Sequence, residues 1–87
     1  MDERAEKLDR IEELNLLCDF YGKFLTAKQR EVFELYYEEN FSLAEIAERL
    51  SVSRQAVHAN LKSAEKKLCS YEEKLALVEE YRKENGI

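Results

Sequence analysis

The sequence predicts an all-α protein of four to five helices, and three observations carry that prediction. The 87 residues include no Pro and only two Gly, Gly22 and Gly86, so helix breakers are nearly absent. Glu, Lys, Leu and Ala, all good helix formers, dominate the composition. Apolar residues recur at three- and four-residue steps along most of the chain, which is the period of one helix face. With 45% hydrophobic residues the chain can bury one modest core, and we expect a single helical domain over residues 1–87.

The first helix is expected over 2–21. Leu8, Ile11, Leu14, Leu17, Cys18 and Tyr21 form its apolar stripe, and Gly22 ends or bends it. Thr26, followed three residues later by Gln29, makes a capping box for a second helix whose inner face carries Val32, Phe33, Leu35 and Tyr36. That helix should run to about Glu39, with Asn40 as a left-handed cap. Phe41, Ser42, Glu45 and Ile46 then combine a capping box with a hydrophobic staple, the clearest helix start in the chain.

From Ser42 to Leu68 the sequence reads as two short helices joined by a turn of three or four residues. Ile46 and Leu50 form the inner stripe of the first, and Ala47 sits where crossing helices leave no room for a larger side chain. Val52 is expected to plug the turn, Ser53 to cap the next helix, and Val57 with Leu61 to face inward from it. This is the pattern of a helix-turn-helix, the unit that lays its second helix in the DNA major groove. It belongs to an expected core over 26–68.

Beyond it, Leu61, Ala64, Leu68, Tyr71, Leu75 and Val78 alternate steps of three and four, so the second helix of the motif fits one long helix with a coiled-coil-like seam. Ser70 with Glu73 is also a capping box, which would restart the chain as a separate helix. We expect the break near Ser70 and a C-terminal helix over 70–85, its stripe widened by Leu77 and Tyr81 and folded back onto the first helix.

The residues left pointing outward define the candidate site. Arg54, Gln55, His58, Ala59 and Lys62 form the reading face. Arg54 and Gln55 lie in the first turn, where side chains reach base edges; Arg suits guanine O6/N7 and Gln suits adenine N6/N7. Ser53 adds a hydroxyl for a phosphate, and Lys62, Lys66 and Lys67 are positioning contacts. Thr26, Lys28 and Arg30 are secondary candidates for backbone phosphate. Asn60, at a position usually apolar in this motif, is expected to be buried and hydrogen-bonded.

Charge and composition exclude other classes. The net charge is -5, yet residues 42–68 carry five basic and three acidic residues and are the one net-positive stretch. Phosphate neutralisation supplies most sequence-independent affinity, so weak non-specific binding with a steep salt dependence is expected. Cys18 and Cys69 are too few and too far apart for a disulfide framework or a zinc site, His58 is the only His, and no glycine loop cradles phosphate. We therefore expect two reduced thiols, no metal, no cofactor and no enzyme activity. No apolar run approaches 18 residues and no signal peptide is apparent, so a cytoplasmic protein without membrane contact is expected.

Two longer stretches carry a resemblance. LTAKQREVFELYYEENFSLAEIAERLSVSRQAVHANL, Leu25 to Leu61, is similar to the promoter-binding region 4 of sigma factors. Tyr21 to Lys62 and the following YEEKLAL resemble the small YlxM-type helix-turn-helix proteins of bacteria over nearly the whole chain. The run Ser53, Arg54, Gln55, Ala56, Val57 is intact, and Asn60 is present. His58 stands where a Tyr is expected, and Ser63 where a further basic residue is common. The resemblance implies a DNA-binding regulator linked to the signal recognition particle pathway, with a homodimer as an open possibility. It also leaves open an adaptor that binds RNA or proteins of that pathway. An independent sigma factor is not expected, since 87 residues leave no room for a promoter-melting region alongside this domain.

Overall fold

The computed structural model describes the backbone of residues 3–86 and the side chains of residues 10–86. Among the described residues five α-helices follow one another: α1 (Glu3–Tyr21), α2 (Ala27–Phe33), α3 (Leu43–Leu50), α4 (Arg54–Leu75) and α5 (Leu77–Glu84). The fold is all-α. A 3-10 turn at Gly22–Phe24 links α1 to α2, and a π-helical turn at Glu34–Glu38 prolongs α2. Among the described residues no strand occurs.

Helix α4 is the central element, and α1, α2 and α3 all pack on it. Val57, Leu61, Ala64 and Leu68 form its buried stripe, matched by Leu14, Leu17, Cys18 and Tyr21 of α1, Val32 and Phe33 of α2, and Ile46 and Ala47 of α3. Fully burying a Val, Leu or Phe side chain contributes roughly 1.5–3 kcal/mol, so this one cluster holds most of the folding energy. The expected inner stripe of α1 is confirmed from Leu14 onward, while Ile11 is half-buried; Leu8 lies outside the described side chains. Leu35 and Tyr36 are half-buried rather than core. Gly22 is buried, and a Cβ there would meet Cys18 Sγ at 3.1 Å, which explains why the chain turns on a glycine at the end of α1. Cys18 and Cys69 are both free thiols; burial pushes the Cys18 thiol up to about 11.

The second helix ends differently from the expectation of a regular helix to Glu39. After Phe33 the backbone widens into the π turn, with Glu39 N–H donating to Glu34 O at 2.9 Å and Phe41 N–H to Leu35 O at 2.9 Å. This turn accommodates one extra residue before Asn40, which does take the left-handed conformation at φ 60°. The Phe33 and Tyr37 rings meet at 4.8 Å inside it.

The expected break near Ser70 is not there. Helix α4 runs unbroken through Ser70 to Leu75, and the Ser70–Glu73 capping box does not form. The chain breaks instead at Ala76, in the left-handed region at φ 52°. The reason is a knot of hydrogen bonds that only the folded chain assembles. The buried Tyr21 hydroxyl donates to Glu72 Oε1 at 2.6 Å and accepts from Leu77 N–H at 3.0 Å. The same carboxylate accepts from Val78 N–H at 3.0 Å and Glu79 N–H at 3.1 Å, so it caps α5 from the turn before it. Val78 is buried and α5 packs on α1, as the folded-back stripe required, but Leu75 and Leu77 remain exposed.

Tyr21→Phe removes one hydroxyl that serves two partners 51 and 56 residues away. We expect a loss of about 1–3 kcal/mol in urea unfolding and, in hydrogen exchange, loss of protection at Leu77–Glu79 before the rest of the chain. Unchanged protection in α5 would show that the knot does not hold it.

Candidate nucleic-acid interface

The site is built from α3, the turn Ser51–Ser53 and the first half of α4. Helix α3 opens with the expected capping box: Glu45 N–H donates to Ser42 Oγ at 3.1 Å and Ser42 N–H donates to Glu45 Oε1 at 3.0 Å. That backbone N–H holds the Glu45 carboxyl below its ordinary range. Phe41, just before the cap, packs on the core, and the Arg49 guanidinium lies 5.3 Å from its ring centre.

Helix α3 ends in a Schellman motif. Ser51 is left-handed at φ 57°, its N–H donates to Glu48 O at 3.3 Å, and Val52 N–H donates to Ala47 O at 3.0 Å. These backbone bonds close the turn without help from a side chain. Val52, expected to plug the turn, therefore faces solvent at 37% exposure. Ser53 then caps α4, its Oγ accepting from Ala56 N–H at 3.0 Å and leaving the O–H hydrogen free.

Behind the turn, Ile46 and Ala47 of α3 meet Val57 and Leu61 of α4, all buried, and this fixes the angle at which α4 leaves the domain. Leu50 is half-buried at the edge. Opposite this packed face, Ser53, Arg54, Gln55, His58, Ala59, Lys62 and Lys66 are all exposed. Arg54, His58 and Lys62 follow one another at steps of four and stack into a ridge, with Gln55 and Ala59 on the ridge beside it. Among the described residues, Arg54, Gln55 and His58 make no side-chain hydrogen bond or ion pair, whereas Lys62 pairs with Glu65 at 4.0 Å. Lys66 sits further along and turned toward α2, where it lines a groove.

Three other sequence candidates separate from this face. Asn60 is half-buried and donates from Nδ2 to Ala56 O at 2.9 Å, a bond within its own helix. Arg30 is turned toward the domain, its Nε donating to Glu34 Oε1 at 2.9 Å, with its guanidinium near Gly22. Thr26 is committed to a capping box with Gln29, although Lys28 remains exposed. A contact that the sequence did not show ties α2 to α4: Gln29 Nε2 donates to Ser63 Oγ at 2.9 Å. Lys66 and Lys67, read in the sequence as positioning contacts, line this groove together with Ser63 and Ser70. Among the described residues no group of three metal-ligating side chains occurs, and no helix is long and apolar enough to cross a membrane.

A buried α3–α4 corner with an exposed ridge on its second helix defines a helix-turn-helix protein. A profile of the family described as "Putative helix-turn-helix protein, YlxM / p13 like", UPF0122, matches residues 8–87, and the chain belongs to that family. A UPF0122 protein of Desulforamulus reducens is 50% identical over 78 residues, covering 90% of this chain and 67% of that protein. One of Halalkalibacterium halodurans is 50% identical over 80 residues, covering 92% and 73%. One of Lactococcus lactis subsp. cremoris is 48% identical over 81 residues, covering 93% and 73%.

Because the Glu45 carboxyl is held below its ordinary range in the folded chain, its contribution to stability is complete at neutral pH and is lost as pH falls from the unfolded carboxylate range through the lowered folded value. Glu45→Gln should therefore unfold with a shallower loss of stability between neutral and about pH 3 than the parent chain, read as the change in thermal midpoint. An equal acid dependence in both proteins would contradict this.

Proposed function

We propose that this protein is a DNA-binding regulator of a single helical domain, acting in the cytoplasm, that places the first turns of α4 in the major groove. The observation that supports this best is the ridge of Arg54, His58 and Lys62 beside Gln55 and Ala59. It is exposed and lies on the one net-positive stretch of an acidic chain, with its reverse side locked into the core. Arg54 and Gln55 read base edges and His58 and Ala59 lie against the next pair. Ser53, Lys62 and Lys66 hold phosphates, helped by the positive N-terminal end of α4. The grip is weak because few cations are involved, and a homodimer would offset that by presenting two reading helices.

A second reading has its own support. Glu31, Glu34, Glu38 and Glu39 line a cleft with Arg49, and although Glu34 is paired with Arg30 the excess of carboxylates there and the net charge of -5 suit a basic partner. On this reading the chain is an adaptor for RNA or protein components of the signal recognition particle pathway, the pathway that the resemblance to YlxM-type proteins implies, and the acidic cleft would meet a basic protein rather than RNA.

Binding to DNA from upstream of its own gene and to signal recognition particle RNA, measured across a salt series, separates the two. As a regulator, Arg54→Ala should lose about 1–3 kcal/mol on the preferred sequence and relax its specificity, while Lys62→Ala should weaken all sequences alike and lower the salt slope by about 1. Sequence-indifferent DNA binding that Arg54→Ala leaves unchanged would remove the regulator reading and leave the adaptor.

A further inference from the structure

The far half of α4 carries a second concentration of cations, of which the DNA-binding reading uses Lys66 alone. Between α2 and α4 runs a groove of about 400 Å³ whose α4 wall bears Lys66, Lys67 and Lys74 with the hydroxyls of Ser63, Ser70 and Tyr71. Lys66, Ser70 and Lys74 follow one another at steps of four, and Ser63, Lys67 and Tyr71 form the neighbouring row. Every polar group on that wall can donate a hydrogen bond and no carboxylate lines the groove. In a chain with 19 acidic and 14 basic residues this is the reverse of the average surface. Among the described residues none of these three lysines forms an ion pair, although Arg10, Arg30, Lys62 and Lys83 all do. The opposite wall is fixed by the Gln29–Ser63 hydrogen bond, and the Tyr71 ring is held between Tyr21 at 6.1 Å and Phe24 at 4.7 Å. The hydroxyl-bearing rows are thus set on packed elements rather than on a loop.

We propose that this groove binds linked phosphates, from a nucleoside polyphosphate or from the phosphodiester chain of a nucleic-acid strand. Lys66 and Lys74 are eight residues apart, about 12 Å along the helix, so the cations are spread over a length that a chain of linked phosphates can follow and a single phosphate does not fill. Lysine is suited to this as a mobile point charge, and the hydroxyls supply directional donors to phosphate oxygens. The groove is centred near Ser70, about 24 Å along α4 from Arg54. The major groove is only about 8.5 Å deep, so the site lies beyond the bases that the first turns of α4 would read. The inference therefore goes beyond the DNA-binding reading and does not depend on it.

The test uses the full chain with two probes, inorganic tripolyphosphate and an eight-residue oligothymidylate, read by calorimetry and by backbone amide shifts. At least one probe should shift Ser70 and Tyr71, and the double variant Lys67→Ala/Lys74→Ala, which leaves the reading ridge intact, should weaken it by about tenfold. Arg54→Ala should change it less than twofold. Binding of tripolyphosphate assigns the groove to a small phosphorylated ligand; binding of the oligonucleotide alone assigns it to a strand backbone. The proposal is overturned if neither probe shifts these residues at millimolar concentration, if the double variant binds as the parent does, or if Arg54→Ala loses as much as the double variant.

Discussion

The buried stripe of α4 is the constraint on which the rest of the structure depends. Val57, Leu61, Ala64 and Leu68 are the surfaces that α1, α2 and α3 each pack against. In so small a domain no other element could serve all three, because only a central helix exposes several sides of one stripe to different neighbours. Ala64, fully buried, keeps the neighbours close, and a larger side chain there would force apart the helices packed on it. The candidate site inherits its rigidity from this arrangement, since the outward ridge is simply the other side of the same helix.

Much of the fold was legible because the signals that set it are local. Thr26, Ser42 and Ser53 cap α2, α3 and α4 as their spacing predicted, since a hydroxyl meeting a backbone N–H three residues later needs nothing from the remainder of the chain. Asn40 was readable as left-handed for the same reason. The end of α4 was not. Ser70 and Glu73 offered a local cap, but the stripe through Leu68 and Tyr71 keeps that turn helical, and the deciding group is Glu72, brought to α5 by a tyrosine on α1. Ala76, a strong helix former, carries no sign of the left-handed role it fills. The π turn and the exposure of Val52 were hidden too, since both follow from how backbone carbonyls find donors rather than from side-chain pattern.

The candidate site divides along the same line. Helical periodicity alone placed Arg54, Gln55, His58, Ala59 and Lys62 together, because a face opposite a buried stripe must be exposed. It assigned Lys66 to the same surface, whereas the lysine also borders the groove shared with α2. It could not foresee that Gln29 would reach across to Ser63, because a contact between elements decides that position. The Arg30–Glu34 ion pair, by contrast, is an i, i+4 contact along one helical run that the spacing already offered.

The length of α4 gives the domain a mechanical character. Twenty-two residues form a rod about 33 Å long, supported near its middle by Leu61 and Ala64. Such a rod is clamped along its length, because Val57 and Leu68 are fully buried on either side of that middle. The Glu72 knot and the aromatic stack sit on one arm, Arg54 and Gln55 on the other. One continuous helix therefore ties the two arms together, so that what fixes the direction of one fixes the direction of the other.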